Sequence, residues 1–370
     1  MISFHCEKTL LQNAINLTGR AVSPKSSIPA LEGLLLQAAD NITLSGYNMS
    51  TGIRSSFPAD VREPGRVVFS ARLFGDIVRR MPDDVVNVTV NDNLIVRLTC
   101  GDADFEISGM DAADFPELPV VEEDASLTIR QDLFRAMIDQ TVFSVSTNEA
   151  RPIHTGALFE TEGGRLTMVA VDGFRLALRR EELASANAAM SFVTPGAALN
   201  EVKNICADTD ETAVITPGKR HILFEIGDTE LICRRLEGEF LNYRKTVPFE
   251  FPVKLKADKS DMIRCADRVS LIIDDRTKNP LRCTFGDGKL SITCATPLGR
   301  AEDACQMEGS GGDMVIGFNN IYLLDALKAA PGDRICVNLI SGSSPCVITP
   351  EDGSEKFLYM ILPVRLRAGE

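Results

Sequence analysis

Apolar and polar positions change period many times along this chain, and the changes recur. "VVFSARLFGDIV" from Val67, "SFVTPGAALNEV" from Ser191 and "VIGFNNIYLLDAL" from Val315 share one pattern. Each is an apolar strand end, then a capping residue (Ser70, Thr194, Asn319), then apolar residues at helical spacing. The caps stand 124 and 125 residues apart, from 70 to 194 and from 194 to 319. Each predicted helix runs out into a turn with an aspartate, Asp83, Asp208 or Asp333, at spacings of 125 and 125. Other elements keep step. "LEGLLLQAADNITLSGY", "HTGALFETEGGRLTMVAV" and "PLRCTFGDGKLSITCAT" each read as two strands, turning at Asp40-Asn41, Gly163-Gly164 and Asp287-Gly288. Ahead of each lies an amphipathic helix, predicted over 9–18, 131–141 and 260–271.

Four element types held in step three times make three copies of one unit of about 125 residues. Each copy reads strand, helix, strands, helix, strands, which is an α+β pattern far longer than a solenoid repeat. Three similar domains, each with its own core, are therefore expected. Their boundaries fall near 125 and 253, giving 1–125, 126–253 and 254–370. The acidic "VVEEDAS" (120–126) and the proline-bearing "PFEFPVK" (248–254) serve as linkers. Similar domains joined end to end can form an arc, and arcs close through symmetric association.

Composition narrows the function. The 370 residues are 44% hydrophobic and 25% charged, which fits a folded, soluble protein. A net charge of −13 argues against adhesion to nucleic acid or an anionic membrane through bulk charge, although a local basic surface can sit inside an acidic whole. The start of the chain lacks the pattern of a secretory signal, and no apolar run reaches membrane length, so a cytoplasmic location and no membrane partner are expected. Ten cysteines are scattered without a CxxC pair among only three histidines, His5, His154 and His221. Reduced, buried thiols are expected, with no metal and no cofactor.

The charges also follow the helices. Lys8, Gln12, Asn16 and Arg20 recur at i, i+4, with Leu10, Leu11, Ala14 and Ile15 on the buried side. Arg264 and Arg268 repeat this spacing, and Arg72, Arg79, Arg80, Arg135, Lys203 and Lys328 fall on the other predicted helices. Asp76, Asp139, Glu201, Asp267 and Asp325 lie on the same helices. Any one stripe reads as a solvated face, whereas their coincidence across six helices favours a common basic surface.

One copy carries something the others lack. "VAVDGFRLALRR" (169–180) reads as a hairpin turning at Asp172-Gly173, with Phe174, Leu176 and Leu178 on one face and Arg175, Ala177 and Arg179 solvated on the other. The matching segments, "SGYNMSTGI" and "TCATPLGRA", have no Phe-Arg pair. A feature confined to one copy of a repeat points to a site. Asp172, the Asp114/Glu117 pair and the Asp274-Asp275 pair are the candidate carboxylates for an enzyme. No phosphate loop, zinc-protease or nucleophile-elbow motif accompanies them, and turn and cap roles account for each. A triple-repeat protein-binding scaffold without DNA is the other reading that the residues leave open.

Several stretches, "AADFPELP" (112–119), "GALFETEGGRLTMVAVDGFRLA" (156–177), "GEFLNYRKTVP" (238–248), "GFNNIYLLDAL" (317–327) and "LPVRL" (362–366), resemble the bacterial DNA polymerase III β-subunit family, the replicative sliding clamps. The resemblance covers essentially the whole chain. It implies a head-to-tail homodimeric ring, with helices lining a central hole and antiparallel sheets outside. Such a ring encircles double-stranded DNA without reading its sequence and has no catalytic role. It tethers the DNA polymerase III catalytic subunit, and the clamp loader and other proteins with a clamp-binding motif use the same surface.

By this resemblance a partner-peptide cleft includes Val171, Gly173, Phe174, Arg175 and Leu176, joined by Leu241, Asn319, Tyr322 and Pro345. The tail supplies Met360, Ile361, Leu362, Pro363, Val364, Arg365 and Leu366. Arg20, Lys25, Arg72, Arg79, Arg80, Lys203, Arg264 and Arg268 are expected to face DNA. Phe105 and Ile107, on an edge-type strand, are expected to meet Ile272 and Ile273, at the end of a helix, across the dimer joint. Phe174, Leu241 and Leu362 stand where relatives commonly carry histidine, proline and methionine, so a shifted peptide preference is implied. Residues 367–370 extend past the usual terminal leucine, at the cleft mouth.

Overall fold

A computed structural model describes residues 1–122, 125–183, 189–274, 279–286, 288–309 and 314–366. Asp275, Asp287 and the extension 367–370 lie outside the described residues. The chain gathers into two compact units, Met1–Arg135 with Ala197–Arg235, and Ala136–Gly196 with Leu236–Glu370. The middle copy is divided between them. Its helices, and those of the other copies, are α1 (Lys8–Thr18), α2 (Ala71–Arg80), α3 (Gln131–Asp139), α4 (Gly196–Ile205), the single turn α5 (Tyr243–Thr246), α6 (Lys259–Ser270) and α7 (Asn320–Ala329). No described helix is long and apolar enough to cross a membrane.

In the first unit, α1 buries Leu11, Ala14 and Ile15, and α2 buries Phe74, Ile77 and Val78. Both stripes follow the 3.6-residue period and cover a sheet whose inward residues include Phe4, Leu34, Leu36 and Phe69. Ser70 caps α2, its hydroxyl accepting from the Leu73 amide at 3.4 Å, and Phe69 stacks on Phe74. Thirteen strands pair edge to edge. In their midst Thr51–Phe57 of the first copy pairs antiparallel with Thr229–Arg234 of the second, Ile53 facing Leu231. The sheet thus passes from one copy into the next through main-chain hydrogen bonds.

The second unit repeats this construction. Arg175–Glu182 of the middle copy pairs with Phe357–Ile361 of the third, Ala177 facing Tyr359, inside a sheet of eight strands. A second sheet of four, in the order Gly299–Gln306, Lys289–Thr296, Leu281–Gly286 and Met314–Phe318, forms a common core with α6 and α7. Asn319 caps α7, its Oδ1 accepting from the Ile321 and Tyr322 amides at 2.9 and 3.3 Å.

Some expectations need correction. Thr194 is not a cap: it lies inside the strand Met190–Pro195, fully buried, its hydroxyl without a hydrogen-bond partner among the described residues. The preference of Ser and Thr for caps yields there to pairing with the neighbouring strand Gly156–Glu162. Lys8 does not belong to a solvated stripe. It is 8% exposed, and its ammonium donates to the Met81 carbonyl at 2.6 Å and to Asp83 at 2.8 Å. Equivalent ties recur in the other copies, from Lys259 to the Ala330 carbonyl at 2.7 Å and from the Ala207 amide to the Gln131 side chain at 2.9 Å. Each fastens the start of one helix to the chain leaving the next, satisfying polar groups that a helix end leaves open. The helix expected over 260–271 is α6, and it ends at Ser270.

Candidate peptide cleft and interfaces

The middle-copy hairpin turns through Gly173 and Phe174, with Val171 facing Leu176 and the Asp172 amide donating to the Arg175 carbonyl at 3.3 Å. Gly173 has φ +95°, open only to a residue without a Cβ at little cost. Asp172 fastens the turn: its Oδ1 accepts from the Phe174 and Arg175 amides at 2.9 and 3.0 Å. These are the turn bonds expected of aspartate.

Phe174 projects at the tip and is 59% exposed, its ring stacked on Tyr322 at 6.1 Å between centroids. Arg175 is not solvated; its side chain is 11% exposed. It donates to Asp172 Oδ2 at 2.9 Å and to Asp325 on α7 at 2.6 Å, and lies 4.5 Å from the Tyr322 ring centroid and 5.4 Å from that of Phe143. Burial, helped by the Asp172 carboxylate, pushes the Tyr322 phenol above its ordinary value, so the hydroxyl stays protonated at neutral pH. Arg179 is buried too, donating to the Arg180 and Lys356 carbonyls at 2.7 and 2.8 Å and pairing with Glu181. Solvated arginines suit an open sheet face, but here Leu176 and Leu178 enter one buried cluster and Ala177, between the two arginines, enters another, so both faces of the strand are covered.

Behind the turn, Val171, Leu176, Val347 and Met360 belong to one buried apolar cluster, with Leu362 packed half-buried against it. The tail is pinned at two points. Leu362 donates its amide to the Phe174 carbonyl at 2.8 Å, and Val364 to the Gly317 carbonyl at 2.8 Å. A Cβ on Gly317 would fall 2.5 Å from the Val364 oxygen, so glycine is what lets the tail cross there. Leu366 lies over the same glycine, while Val364 and Arg365 are exposed. Pro363 and Pro345 are half-buried and Leu241 is 39% exposed.

Two expected cleft residues have other employment. Ile361 packs into the core of the third copy, on the opposite face of its strand from Met360. Asn319 spends its side-chain oxygen on the α7 cap. The partners of Arg175, Asp325 and Phe143, were not singled out from sequence as cleft residues, because neither lies near the hairpin along the chain.

The expected dimer residues divide in the same way. Among the described residues, 103–108 form an open edge: Ala103–Met110 pairs with Ile95–Cys100 on one side and with Gly65–Ser70 only at Gly109 and Met110. Phe105 is 40% exposed on that strand, whereas Ile107 is buried in its own core. Ile272 and Ile273 follow the end of α6 and pack half-buried against the core of the third copy. Leu271, next to them in sequence, is 82% exposed, and Leu298, which precedes the edge strand Gly299–Gln306, is exposed as well.

Most of the residues expected to face DNA already have a carboxylate beside them. Arg20 pairs with Glu201 at 3.1 Å, Arg80 with Asp76 at 3.6 Å, Arg79 also with Asp76, Arg264 with Asp261 and Arg268 with Asp303. These pairs are largely solvated and contribute little to stability. Lys203 is half-buried. Lys25 and Arg72 are exposed and form no ion pair with a described residue. Among the described residues no cluster of His, Cys, Asp or Glu has the arrangement of a metal site, and all ten cysteines are buried free thiols.

Models of the N-terminal, central and C-terminal domains of the DNA polymerase III beta subunit match residues 2–119, 128–242 and 244–365. Beta sliding clamps of Staphylococcus epidermidis and Staphylococcus aureus are each 29% identical over 376 positions, covering 99% of this chain and 100% of theirs. Crystal structures of a DNA polymerase sliding clamp from Bacillus subtilis and a putative DNA polymerase III beta subunit from Eubacterium rectale align with a TM-score of 0.94 at 29% identity. Both alignments cover 99% of this chain and 100% of the other. The three-domain α+β architecture is thus that of the DNA polymerase sliding clamps. The chain belongs to the DNA polymerase III beta-subunit family, and its function is that of a DNA clamp, a non-catalytic processivity subunit.

Proposed function

We propose that two copies of this chain close head to tail into a ring around duplex DNA, with domains meeting near residues 125 and 253. One observation carries the closure. At both joints within the chain, a strand of one copy pairs with a strand of the next. The equivalent strands at the two ends of the triplet, Gly299–Gln306 and residues 103–108, are open edges among the described residues. Ala301 is the equivalent of Ile53 and Ala177, since the three occupy the same rung against Cys294, Gly46 and Ala170. Phe105 and Ile107 are likewise the equivalents of Leu231 and Cys233, through rungs with Leu98 and Phe224, and with Val96 and Ile222. Carrying the first joint's register across sets Ala301 opposite Phe105 of the second copy. Carrying the second joint's register across gives the same pair, because Tyr359 faces Ile348 on the rung where Leu231 faces Phe224 and Phe105 faces Leu98.

Open edges with exposed apolar neighbours are what strand addition uses, and two such joints close a ring. Of the residues expected to face DNA, Lys25 and Arg72 are exposed without an ion pair to a described residue and are the ones offered to phosphate, and a topological link needs no more than a few screened contacts. The cleft formed by Phe174, Leu176, Met360 and Leu362 takes the apolar or aromatic end of a partner's peptide, supplied by the polymerase catalytic subunit, the clamp loader or other clamp-binding proteins. All of this takes place on the chromosome, in the cytoplasm. Retention on nicked circular DNA after loading, with release on linearisation, is the expected behaviour. Equal retention on linear and circular DNA refutes encirclement, and a monomer by light scattering refutes closure.

A further inference from the structure

Beside the cleft, on the same strands, lies a groove of about 480 Å³. The cleft uses the rung at which Leu176 faces Met360; the groove floor is the next rung on that face, where Leu178 faces Leu358. Two residues of extended chain span about 7 Å, so a peptide anchored in the cleft reaches the groove within two or three further residues. Its walls come from the linker ahead of the third domain. Val247 and Phe251 are half-buried there, and Phe249 is 85% exposed. A nearly bare aromatic ring beside a formed apolar groove has the character of an interaction surface.

The rim has the opposite charge balance from the chain as a whole. Arg180, Arg244 and Lys254 line the groove with Glu355 as the one carboxylate among the described lining residues, in a protein of net charge −13. Arg180 is paired with Glu355 at 2.7 Å and Arg244 with Glu160 at 3.0 Å. Lys254 is exposed and has no ion pair with a described residue. We propose that this groove is a second docking subsite for the cleft's own peptide partners, taking an apolar side chain and a neighbouring carboxylate a few residues from the anchor. The apolar group seats on Leu178 and Leu358 against Phe249, and the carboxylate meets Lys254.

This inference rests on the cleft reading, and the test separates the two. The probes are a fluorescein-labelled pentapeptide ending in Leu-Phe and two longer forms, carrying Gly-Leu-Asp-Asp at one end or the other. Fluorescence anisotropy is measured on the wild-type dimer, on Phe174→Ala and on the double variant Phe249→Ala/Lys254→Glu. One extended form is expected to bind about tenfold more tightly than the pentapeptide. The double variant is expected to lose that gain while binding the pentapeptide normally. No gain from either extension, or a gain that survives in the double variant, overturns the proposal. If the pentapeptide binds Phe174→Ala as well as wild type, the cleft reading fails; a gain that still disappears in the double variant then upholds the groove by itself.

Discussion

Replacing Phe174 by alanine tests the cleft at its most exposed point. The ring is 59% exposed, and a phenylalanine offers about 200 Å² in all, so about 120 Å² is open to a ligand. At about 25 cal/mol per Å², covering it is worth up to about 3 kcal/mol, of which alanine keeps a small part. A peptide that seats fully on the ring should therefore lose about 2–3 kcal/mol, or roughly 30- to 150-fold in affinity. The fold should lose much less. Phe174 makes one stacking contact, with Tyr322, and the bonds that hold the turn run through its backbone and Asp172, which alanine keeps. The assay is anisotropy with a labelled peptide carrying an apolar or aromatic end, alongside thermal melting and light scattering. A variant that is folded and dimeric yet binds within threefold of wild type refutes the seat. Deleting 360–366 is a poorer experiment, because Met360 and Ile361 belong to a strand paired on both sides.

Four other outcomes follow from the same geometry. Phe105→Asp should give a monomer by light scattering with melting little changed, since the residue is 40% exposed within one copy; a stable dimer refutes the edge-to-edge joint. Charge at Ile272 or Ile273 would instead disturb the third domain's own core. Arg175→Ala should destabilise by about 2–4 kcal/mol in chemical denaturation, because it strips a buried cation from Asp172 and Asp325 and from the Tyr322 face, with Arg175→Lys intermediate. Lys25→Glu with Arg72→Glu should slow loading onto circular DNA and leave the dimer intact; unchanged loading refutes their contact with phosphate. Burial, with Arg151 nearby, lowers the His154 pKa, and burial with Arg234 and Arg220 lowers that of His221. The unfolded chain then takes up protons first, so stability is full above about pH 6.5 and falls as pH drops through that value. Melting temperatures between pH 7.5 and 5.5 check this, and replacing both histidines by glutamine should flatten the slope.

Repetition was legible in the sequence because it lies in local spacing. Helix stripes, the Ser70 and Asn319 caps and glycine-bearing turns are decided within a few residues, and their recurrence near 125 residues needs no tertiary information. The Phe-Arg pair stood out for the same reason, as an interruption of the repeat. Tertiary structure decided what those residues touch. Arg175 finds Asp325, 150 positions away, and Lys8 finds Met81, so cations that read as solvated become buried ties. Thr194 lost its cap to a strand, and the middle copy is divided because its strands pair with both neighbours. Pairing between distant strands depends on which edges meet, and a one-dimensional pattern specifies faces and periods but not edges. The open edges at residues 103–108 and 299–306, and the groove beneath Phe249, appear only once every other strand has found its partner.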